Sequence, residues 1–220
     1  MKNIHGWCVP DADTYVARKH GDKFGRYQRK DLAKAISFVR NRTFALDIGG
    51  HIGTSAVYFA GIFGRVVSFE PAADTFECLT TNIQAFGVKN VECRNFALSD
   101  APGQAQLMSY PRDPGNVGAR FLGEGEGVEV RRLDDFGFPG PDFVKIDVEG
   151  WESRVLLGGK ATILQSRPVI MFEVRGLSDR LGADIPTPQS VLAAWGAQCL
   201  LQLSGDEVWG WADTALPAGG

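Results

Sequence analysis

Hydrophobic residues in the first third of the chain follow two different spacings. Between Asp31 and Arg42 they recur at steps of three, one and three residues, which is the spacing of one helical face. The run Phe44–Ile48 is almost entirely apolar and ends in glycines, as buried strands do, and residues 54–63 return to a helical pattern. The order of strand, glycine turn and helix predicts the first half of a βαβ unit.

The alternation continues to the end of the chain. Val66–Phe69 is strand-like and is closed by Glu70-Pro71, because a proline cannot continue an internal strand. A helix with one apolar stripe is predicted next. The remaining predictions are strands at 91–96, 104–109, 128–132, 142–147 and 168–174, helices at 151–164 and 187–195, and a closing hairpin of 198–203 with 207–211.

This order predicts an α/β fold, with a mainly parallel sheet, a C-terminal antiparallel hairpin and helices on both faces. The stretch 115–127 is rich in glycine, and we expect it to be a mobile loop (Gly115, Gly118, Gly123, Gly125 and Gly127). Neither an internal repeat nor an interdomain linker is evident. We therefore expect a single domain over residues 31–220, preceded by an N-terminal segment, residues 1–30.

Composition narrows the class of partner. The chain has 220 residues, of which 44% are hydrophobic and 22% charged, close to the average for globular proteins. The net charge of −3 argues against a general polyanion binder, so nucleic acid is not an expected partner. The four cysteines and three histidines are scattered, without the spacing of a zinc site or a disulfide framework.

The N-terminus lacks the apolar core of a signal peptide. The most apolar stretch, Ala56–Phe63, is far shorter than the roughly 20 residues that span a bilayer. From this we expect a soluble, reduced, cytoplasmic protein with no membrane insertion. The sequence gives no indication of its oligomeric state.

The glycine turn after the first predicted strand is a candidate ligand site. Gly49 permits a turn that a side chain would obstruct, and Gly53 allows the helix start to pack closely on the sheet. The spacing D-x-G-x-x-x-G differs from the dinucleotide motif G-x-G-x-x-G and from a nucleoside triphosphate loop. The carboxylate of Asp47 suits a positively charged ligand group better than a pyrophosphate.

Glu70 stands 23 residues after Asp47, near the interval at which an acidic residue accepts hydrogen bonds from a ribose diol. Turn and acid together indicate a nucleoside-containing cofactor with a cationic or amino group. S-adenosylmethionine carries a ribose, a sulfonium and an α-amino group. The plainer alternatives are a structural turn and a solvated strand end.

Four motifs together resemble the FkbM family of S-adenosylmethionine-dependent methyltransferases, over a span from about Tyr27 to Val174. They are Asp47-Ile-Gly-Gly-His-Ile-Gly53, Phe69-Glu-Pro71, Asn95-Phe-Ala-Leu-Ser-Asp100 and, most distinctively, Lys145-Ile-Asp-Val-Glu-Gly-Trp-Glu152. The resemblance implies a class I, Rossmann-like methyltransferase fold. It also implies methylation of hydroxyls on sugars, glycans or polyketide-like small molecules.

The same resemblance assigns residues to the cofactor. Asp47, Gly49 and Gly53 would surround its methionine part, and Glu70 with Pro71 would meet its ribose. Ala97, Ser99 and Asp100 would lie near the adenine. The N-terminal segment, at Tyr27-Gln28, is expected to close over the cofactor, and Asn116-x-Gly118 to lie near the active site.

Methyl transfer to an alcohol requires a group that helps remove a proton of high pKa. Asp147 ends a predicted strand, and an extended continuation would point Glu149 into the same crevice. The two are predicted to act as base and hydroxyl acceptor, or to hold a divalent cation that acidifies the hydroxyl. The alternative is that Glu149 or Glu152 caps the next helix.

Two further residues are catalytic candidates. Glu173 is predicted either to face the same crevice or to form an ion pair with Arg175 or Lys145. His51, within the glycine turn, would contact substrate or act as a base, or else face solvent.

Two other functions share these features. A nicotinamide-dependent reductase would also use a strand, glycine turn and acid, and Tyr15 with Lys19 has the Y-x-x-x-K spacing of short-chain reductases, although it precedes the turn. A non-catalytic nucleoside-binding domain would lack the acids at the sheet edge. The absence of a Pro-Pro pair disfavours a nucleic-acid amino methyltransferase.

Overall fold

The computed structural model describes residues 1–16, 25–110, 115–174, 185–213 and 215. Its helices are α1 Arg29–Ile36, α2 Thr54–Ala60, α3 Ala73–Ala85, α4 Glu152–Gly158, α5 Lys160–Ser166 and α6 Pro188–Ala194. Its strands are β1 Lys2–Ile4, β2 Trp7–Val9, β3 Phe44–Ile48, β4 Arg65–Phe69, β5 Val91–Arg94, β6 Ala97–Leu98, β7 Gly103–Met108, β8 Phe121–Arg131, β9 Phe143–Ile146, β10 Val169–Glu173, β11 Gln198–Gln202 and β12 Asp206–Gly210.

A seven-stranded sheet forms the centre, in the order β11-β12-β10-β9-β3-β4-β5. The strands from β10 to β5 run parallel. At the other edge, β12 is antiparallel to β10 and to β11. The predicted α/β architecture with a C-terminal antiparallel hairpin is therefore confirmed.

Helices cover both faces because the inner strands are apolar on both sides. Along β3, Leu46 and Ile48 belong to one core with residues of α4, α5 and α6, whereas Ala45 belongs to a second core with residues of α1 and α2. The parallel strands end at one edge of the sheet, where an open α/β sheet forms a ligand crevice. The residues that follow β3, β4, β9 and β10 therefore meet there.

The glycine-rich stretch is not a loop throughout, so that prediction is wrong for residues 121–127. These residues belong to β8, which pairs antiparallel with β7, with a register shift between Ala105 and Gln106. Gly125 and Gly127 have positive φ, as bulges in a twisted ribbon require. Pairing with β7 outweighs the weak intrinsic strand preference of glycine.

The helix predicted over 151–164 is two helices, α4 and α5, which meet at Gly158-Gly159. A Cβ on Gly158 would lie 1.9 Å from the carbonyl oxygen of Ser99, so this glycine lets the chain approach β6 closely. Helix α1 ends at Ile36 rather than near Arg42.

The N-terminal segment contains a hairpin, β1–β2, that sequence patterns did not predict. It is tied to α3 by Asn82, whose side chain accepts from the Cys8 amide and donates to the Cys8 and Ile52 carbonyls at 2.7–3.0 Å. The side-chain amide of Asn82 therefore joins the N-terminal hairpin to the glycine turn. Within the described part of the chain, no helix is long and apolar enough to cross a bilayer.

Candidate active site

A cavity of about 360 Å³ opens at the carboxyl edge of the sheet. Its wall includes the glycine turn after β3, the end of β4, the segment after β9 and the end of β10. Residues 116–120 and the N-terminal segment, at Tyr15, Val16, Tyr27 and Gln28, also line it. This volume lies within the range of small-molecule sites.

The glycine turn is held against the end of β4. The amides of Gly49 and Gly50 both donate to the Phe69 carbonyl, at 3.0 and 2.8 Å. Gly49 has φ +87°, and a Cβ there would lie 1.9 Å from the Asp147 carbonyl oxygen. Gly53, at φ +95°, packs against Leu79 of α3. Gly49 thus lines the cavity, whereas Gly53 serves the helix packing behind it.

Glu70 accepts hydrogen bonds from the glycine turn and from the segment that leads into α3. Its Oε2 accepts from the His51 amide at 2.8 Å, and its Oε1 accepts from the Ala72 amide and the Thr75 hydroxyl at 2.9 and 2.8 Å. Burial raises the pKa of Glu70, and these three hydrogen bonds oppose the shift. Glu70 and Pro71 both line the cavity, where the sequence predicted ribose contacts.

Asp47 is fully buried and is not among the residues that line the cavity, whereas the next residues of the chain, Ile48 and Gly49, do line it. Its Oδ2 accepts from Ser68 Oγ at 3.0 Å, while its Oδ1 has no hydrogen-bond partner among the described residues. Burial raises the pKa of Asp47, and the nearby Lys145 ammonium and the Ser68 hydrogen bond lower it. Direct contact of Asp47 with a ligand stays a prediction.

Lys145 is the buried cation at this edge. Its Nζ donates to Asp147 Oδ2 at 2.9 Å, and it is 4% exposed. Burial lowers its pKa, but the carboxylates of Asp147, Asp47 and Asp206 outweigh this and raise the pKa above its ordinary value. One buried ammonium thus lies near three acidic side chains, and this excess of acids suits a cationic ligand.

Asp147, Glu149 and Glu173 come together at the cavity, each offering a carboxylate oxygen within 4.8 Å of the others. The predicted convergence of Asp147 and Glu149 is confirmed, and Glu173 lies at the same crevice, the first of the two positions predicted for it, but the predicted extended path is wrong. The chain turns at Glu149 (φ +55°) and Gly150 (φ +102°), and this turn carries the Glu149 side chain toward Asp147. A divalent cation at this cluster stays a prediction.

Glu152, the first residue of α4, holds this turn in place. Its Oε1 accepts from the amides of Val148 and Gly150, each at 3.2 Å. Burial raises the pKa of Glu152 to about 7, although these hydrogen bonds favour the charged form. Glu152 therefore shapes the backbone that presents Glu149.

His51 belongs to the glycine turn, and its side chain lies against residues 116–120. It has φ +49°, and its Nε2 is 3.9 Å from Oδ2 of the fully buried Asp13. Burial lowers the pKa of His51. Close by, Arg120 forms a two-pronged ion pair with Asp74, at 2.5 and 2.8 Å.

Residues 97–100, which were predicted to lie near the adenine, fall into two pairs with different surroundings. Of these residues, Ala97 and Leu98 line the cavity. Ser99 Oγ accepts from the Trp151 indole at 3.0 Å and donates to Asp100, which in turn binds Arg154. Ser99 and Asp100 thus brace α4, and their cofactor role stays a prediction.

Sequence reasoning missed several charged residues of this site. Asp13 accepts from the amides of Tyr15 and Val16, and an aspartate just before an apolar run is the signal that could have found it. Lys145 belongs to the most distinctive motif, but the sequence predicts for it only an ion pair with Glu173. Lys19, the second residue of the reductase-like spacing, and Arg175 lie outside the described residues.

Comparisons with known proteins match this chain to methyltransferases. The family model for the methyltransferase FkbM domain matches residues 47–196. Methyltransferase 1 of Beauveria bassiana is 28% identical over 144 residues, which cover 53% of this chain and 58% of that protein. Hexuronic acid methyltransferase AglP of Haloferax volcanii is 30% identical over 137 residues, 58% of this chain and 54% of that protein.

The chain therefore spans somewhat more than half the length of these relatives. Among solved structures, methyltransferase FkbM from Methylobacillus flagellatus KT superimposes with a TM-score of 0.55 at 19% identity, covering 78% of this chain and 44% of that one. This likeness confirms the predicted class I methyltransferase fold. With its family model matching residues 47–196, the chain belongs to the FkbM methyltransferase domain family.

Proposed function

We propose that the protein is an S-adenosylmethionine-dependent O-methyltransferase that acts on a hydroxyl of a sugar, glycan or other small molecule. The observation that carries this proposal is the juxtaposition of the glycine turn with the carboxylates of Asp147, Glu149 and Glu173 in one cavity. The name of the Haloferax relative, a hexuronic acid methyltransferase, supports a sugar-derived acceptor.

The site suits this cofactor in three ways. Gly49 lets the glycine turn pack directly against the segment after β9, because a Cβ there would collide with the Asp147 carbonyl, and both segments line the cavity. The buried Oδ1 of Asp47, which has no hydrogen-bond partner among the described residues, favours a positive charge nearby, as do the carboxylates around Lys145. Glu70 lines the cavity where the ribose is expected. When bound, S-adenosylmethionine supplies a methyl group on a sulfonium, which is the electrophile.

The residues of the chain then have separate tasks. Asp147 and Glu149 accept hydrogen bonds from the acceptor's hydroxyls and orient the one that reacts. Lys145 holds Asp147 in place, because its ammonium donates to that carboxylate. Tyr15, Tyr27 and Gln28 of the cavity wall exclude water from the bound reactants.

The experiment that tests the cofactor is calorimetric titration with S-adenosylhomocysteine and, in parallel, with NADH. Saturable binding of S-adenosylhomocysteine alone supports the proposal. Binding of NADH alone would favour a nicotinamide-dependent reductase, and binding of neither would favour a non-catalytic domain.

The acceptor class is tested separately. The protein is incubated with methyl-labelled S-adenosylmethionine and a panel of hexoses, hexuronic acids, oligosaccharides and non-sugar alcohols, and label transfer is followed by mass spectrometry. We expect a methyl ether on a hydroxylated acceptor. Label found on nitrogen acceptors alone would contradict O-methylation.

A further inference from the structure

Two buried polar atoms face each other across the wall of the cavity. Nε2 of His51 and Oδ2 of Asp13 lie 3.9 Å apart, and the Asp13 side chain is 0% exposed. Neither atom has a hydrogen-bond partner among the described residues. Because buried polar atoms normally make hydrogen bonds, their opposition requires an explanation.

Asp13 is held firmly in this position. Its amide donates to the Pro10 carbonyl at 3.0 Å, and its own carbonyl accepts from Lys2 Nζ at 2.5 Å. Its Oδ1 accepts from the amides of Tyr15 and Val16, both at 2.9 Å. One carboxylate oxygen thus caps the following helical turn, and the other is left to face His51.

His51 is equally constrained. Its backbone amide donates to Glu70, and its φ of +49° fixes the direction in which the side chain leaves the turn. Gly118 covers the ring edge that carries Nε2, since a Cβ on Gly118 would lie 3.3 Å from that atom. The side chain is nevertheless 26% exposed and lines the cavity. The exposed part therefore lies elsewhere on the ring.

We propose that Asp13 is a positioning residue that orients His51 as the general base for the acceptor hydroxyl. This inference rests on the proposed methyl transfer and assigns its proton acceptor. His51 Nε2 and Asp13 Oδ2 must move closer together to form a hydrogen bond. Catalytic hydrogen bonds that are long without substrate often shorten in this way when substrate binds. Nε2–H then donates to Asp13, and Nδ1 is left free to take a proton.

The transfer balances as follows. The hydroxyl proton passes to Nδ1, and the oxygen's electron pair forms the new O–CH₃ bond. The electrons of the broken C–S bond remain on sulfur, which changes from a sulfonium to a neutral thioether. The imidazolium that results is stabilised by the Asp13 carboxylate and releases its proton to solvent after the product leaves.

The charges around His51 are compatible with this role. Asp13 faces it from the N-terminal segment, Asp147 from just after β9, Asp74 from α3 and Arg120 from just before β8. Burial lowers the pKa of His51, Arg120 lowers it further, and the three carboxylates raise it. The net direction is downward from about 6.5, so the ring is neutral and able to accept a proton at pH 7.

The first test is Asp13→Asn, which keeps an oxygen for the Tyr15 and Val16 amides but removes the negative charge. We expect the plateau of kcat to fall about 10- to 100-fold, within the range of general-base effects. The acidic limb of the kcat/KM profile should move to lower pH, because loss of the carboxylate lowers the pKa of His51. The dissociation constant for S-adenosylhomocysteine should stay within about twofold of wild type.

Asp11→Asn is the matched control, since Asp11 is an exposed aspartate of the same segment, bonded to the N-terminal ammonium. It should leave both kcat and the pH profile unchanged. His51→Asn, which tolerates positive φ, should lose activity at least as strongly as Asp13→Asn. A pH profile of Asp13→Asn that superimposes on wild type would overturn the proposal, because a purely structural role does not move a titration.

The second test needs no acceptor. The chain has three histidines, so the imidazole NMR signals of His51 are assigned by comparison with His51→Asn. In Asp13→Asn, we expect the titration midpoint of His51 to fall while those of His5 and His20 remain unchanged. An unmoved His51 midpoint would refute the coupling. A moved midpoint in a protein that methylates nothing would refute the proposed function and, with it, the base role, while the pairing itself would stand.

Discussion

Two turns meet at the carboxyl edge of the sheet, and each is held by a buried glutamate in a different way. The glycine turn after β3 is held by Glu70, which uses both carboxylate oxygens to accept three hydrogen bonds. The turn after β9 is held by Glu152, whose Oε1 alone accepts from both turn amides, those of Val148 and Gly150, while the carboxylate also interacts with the amide of Glu152 itself. The first arrangement needs a carboxylate, whereas a protonated acid or an amide would satisfy the second.

Under the proposed function, this difference separates cofactor binding from chemistry. The Glu70 arrangement fixes the glycine turn and the start of α3, which border the expected cofactor. The Glu152 arrangement supports the turn that carries Glu149 beside Asp147, and burial raises the pKa of Glu152 to about 7. The turn after β9 is therefore held by a carboxyl group, that of Glu152, with a pKa near neutral pH.

The strongest way to separate the two turns is Asp147→Asn. Asparagine has the same shape and still accepts from Lys145, so the fold and cofactor affinity should be retained. Loss of the carboxylate that orients the acceptor should reduce kcat/KM about 1,000-fold, which corresponds to about 4 kcal/mol of transition-state stabilisation. Steady-state kinetics and calorimetry with S-adenosylhomocysteine measure the two effects independently.

Asp135→Asn provides the matched control, because Asp135 is an exposed aspartate paired with Arg132 outside the cavity. Unchanged turnover in Asp147→Asn would remove Asp147 from the reaction. A parallel loss of S-adenosylhomocysteine binding would place this residue with the cofactor instead of the acceptor.

The next largest effect concerns pH. The pKa of Glu152 is about 7 in the folded protein against an ordinary value of 4.5, so the folded state binds more protons than the unfolded state between these values. Its contribution is therefore fully present below about pH 4.5 and is lost as pH rises through 7. The free energy of unfolding should fall by up to about 3 kcal/mol over this window.

Glu152→Gln should remove that part of the slope, since glutamine does not titrate and keeps the single accepting oxygen. Urea denaturation from pH 5 to 8 measures it, with Glu126→Gln, at an exposed glutamate of β8, as the control. Asp47 and Glu70, whose pKa values are also raised, act in the same direction in every variant. Identical slopes for wild type and Glu152→Gln would rule out the titration of Glu152 as their source.

What could be predicted from the sequence follows from local physics. Apolar runs and glycines predict strand, turn and helix around Asp47, and parallel strands that end at one edge predict the meeting of Asp147 with Glu173. The glycines of residues 121–127 led to a wrong prediction of a loop, because local sequence preference does not reveal that β7 pairs with β8 on both sides of these glycines.

Contacts that depend on tertiary packing were beyond reach. Asp13 meets His51 because Asn82 anchors the N-terminal hairpin to α3 and to the glycine turn, and no local pattern encodes that arrangement. The turn at Glu149 could not be predicted either, since local sequence does not indicate a positive φ at a glutamate. In the structure, the hydrogen bond from the Gly150 amide to Glu152 holds this turn.

The smallest expected effect tests the comparison directly. In Glu70→Gln, whichever way the amide is oriented, its NH₂ group faces either the His51 amide or the Ala72 amide, so one buried donor loses its acceptor. We expect a loss of about 1–2 kcal/mol in the free energy of unfolding at pH 7 and weaker S-adenosylhomocysteine binding. Glu152→Gln under the same conditions should lose nothing, because one oxygen serves both amides. Equal losses in the two variants would mean that both turns require a charged carboxylate, and the division between a fixed binding turn and a titrating catalytic turn would fail.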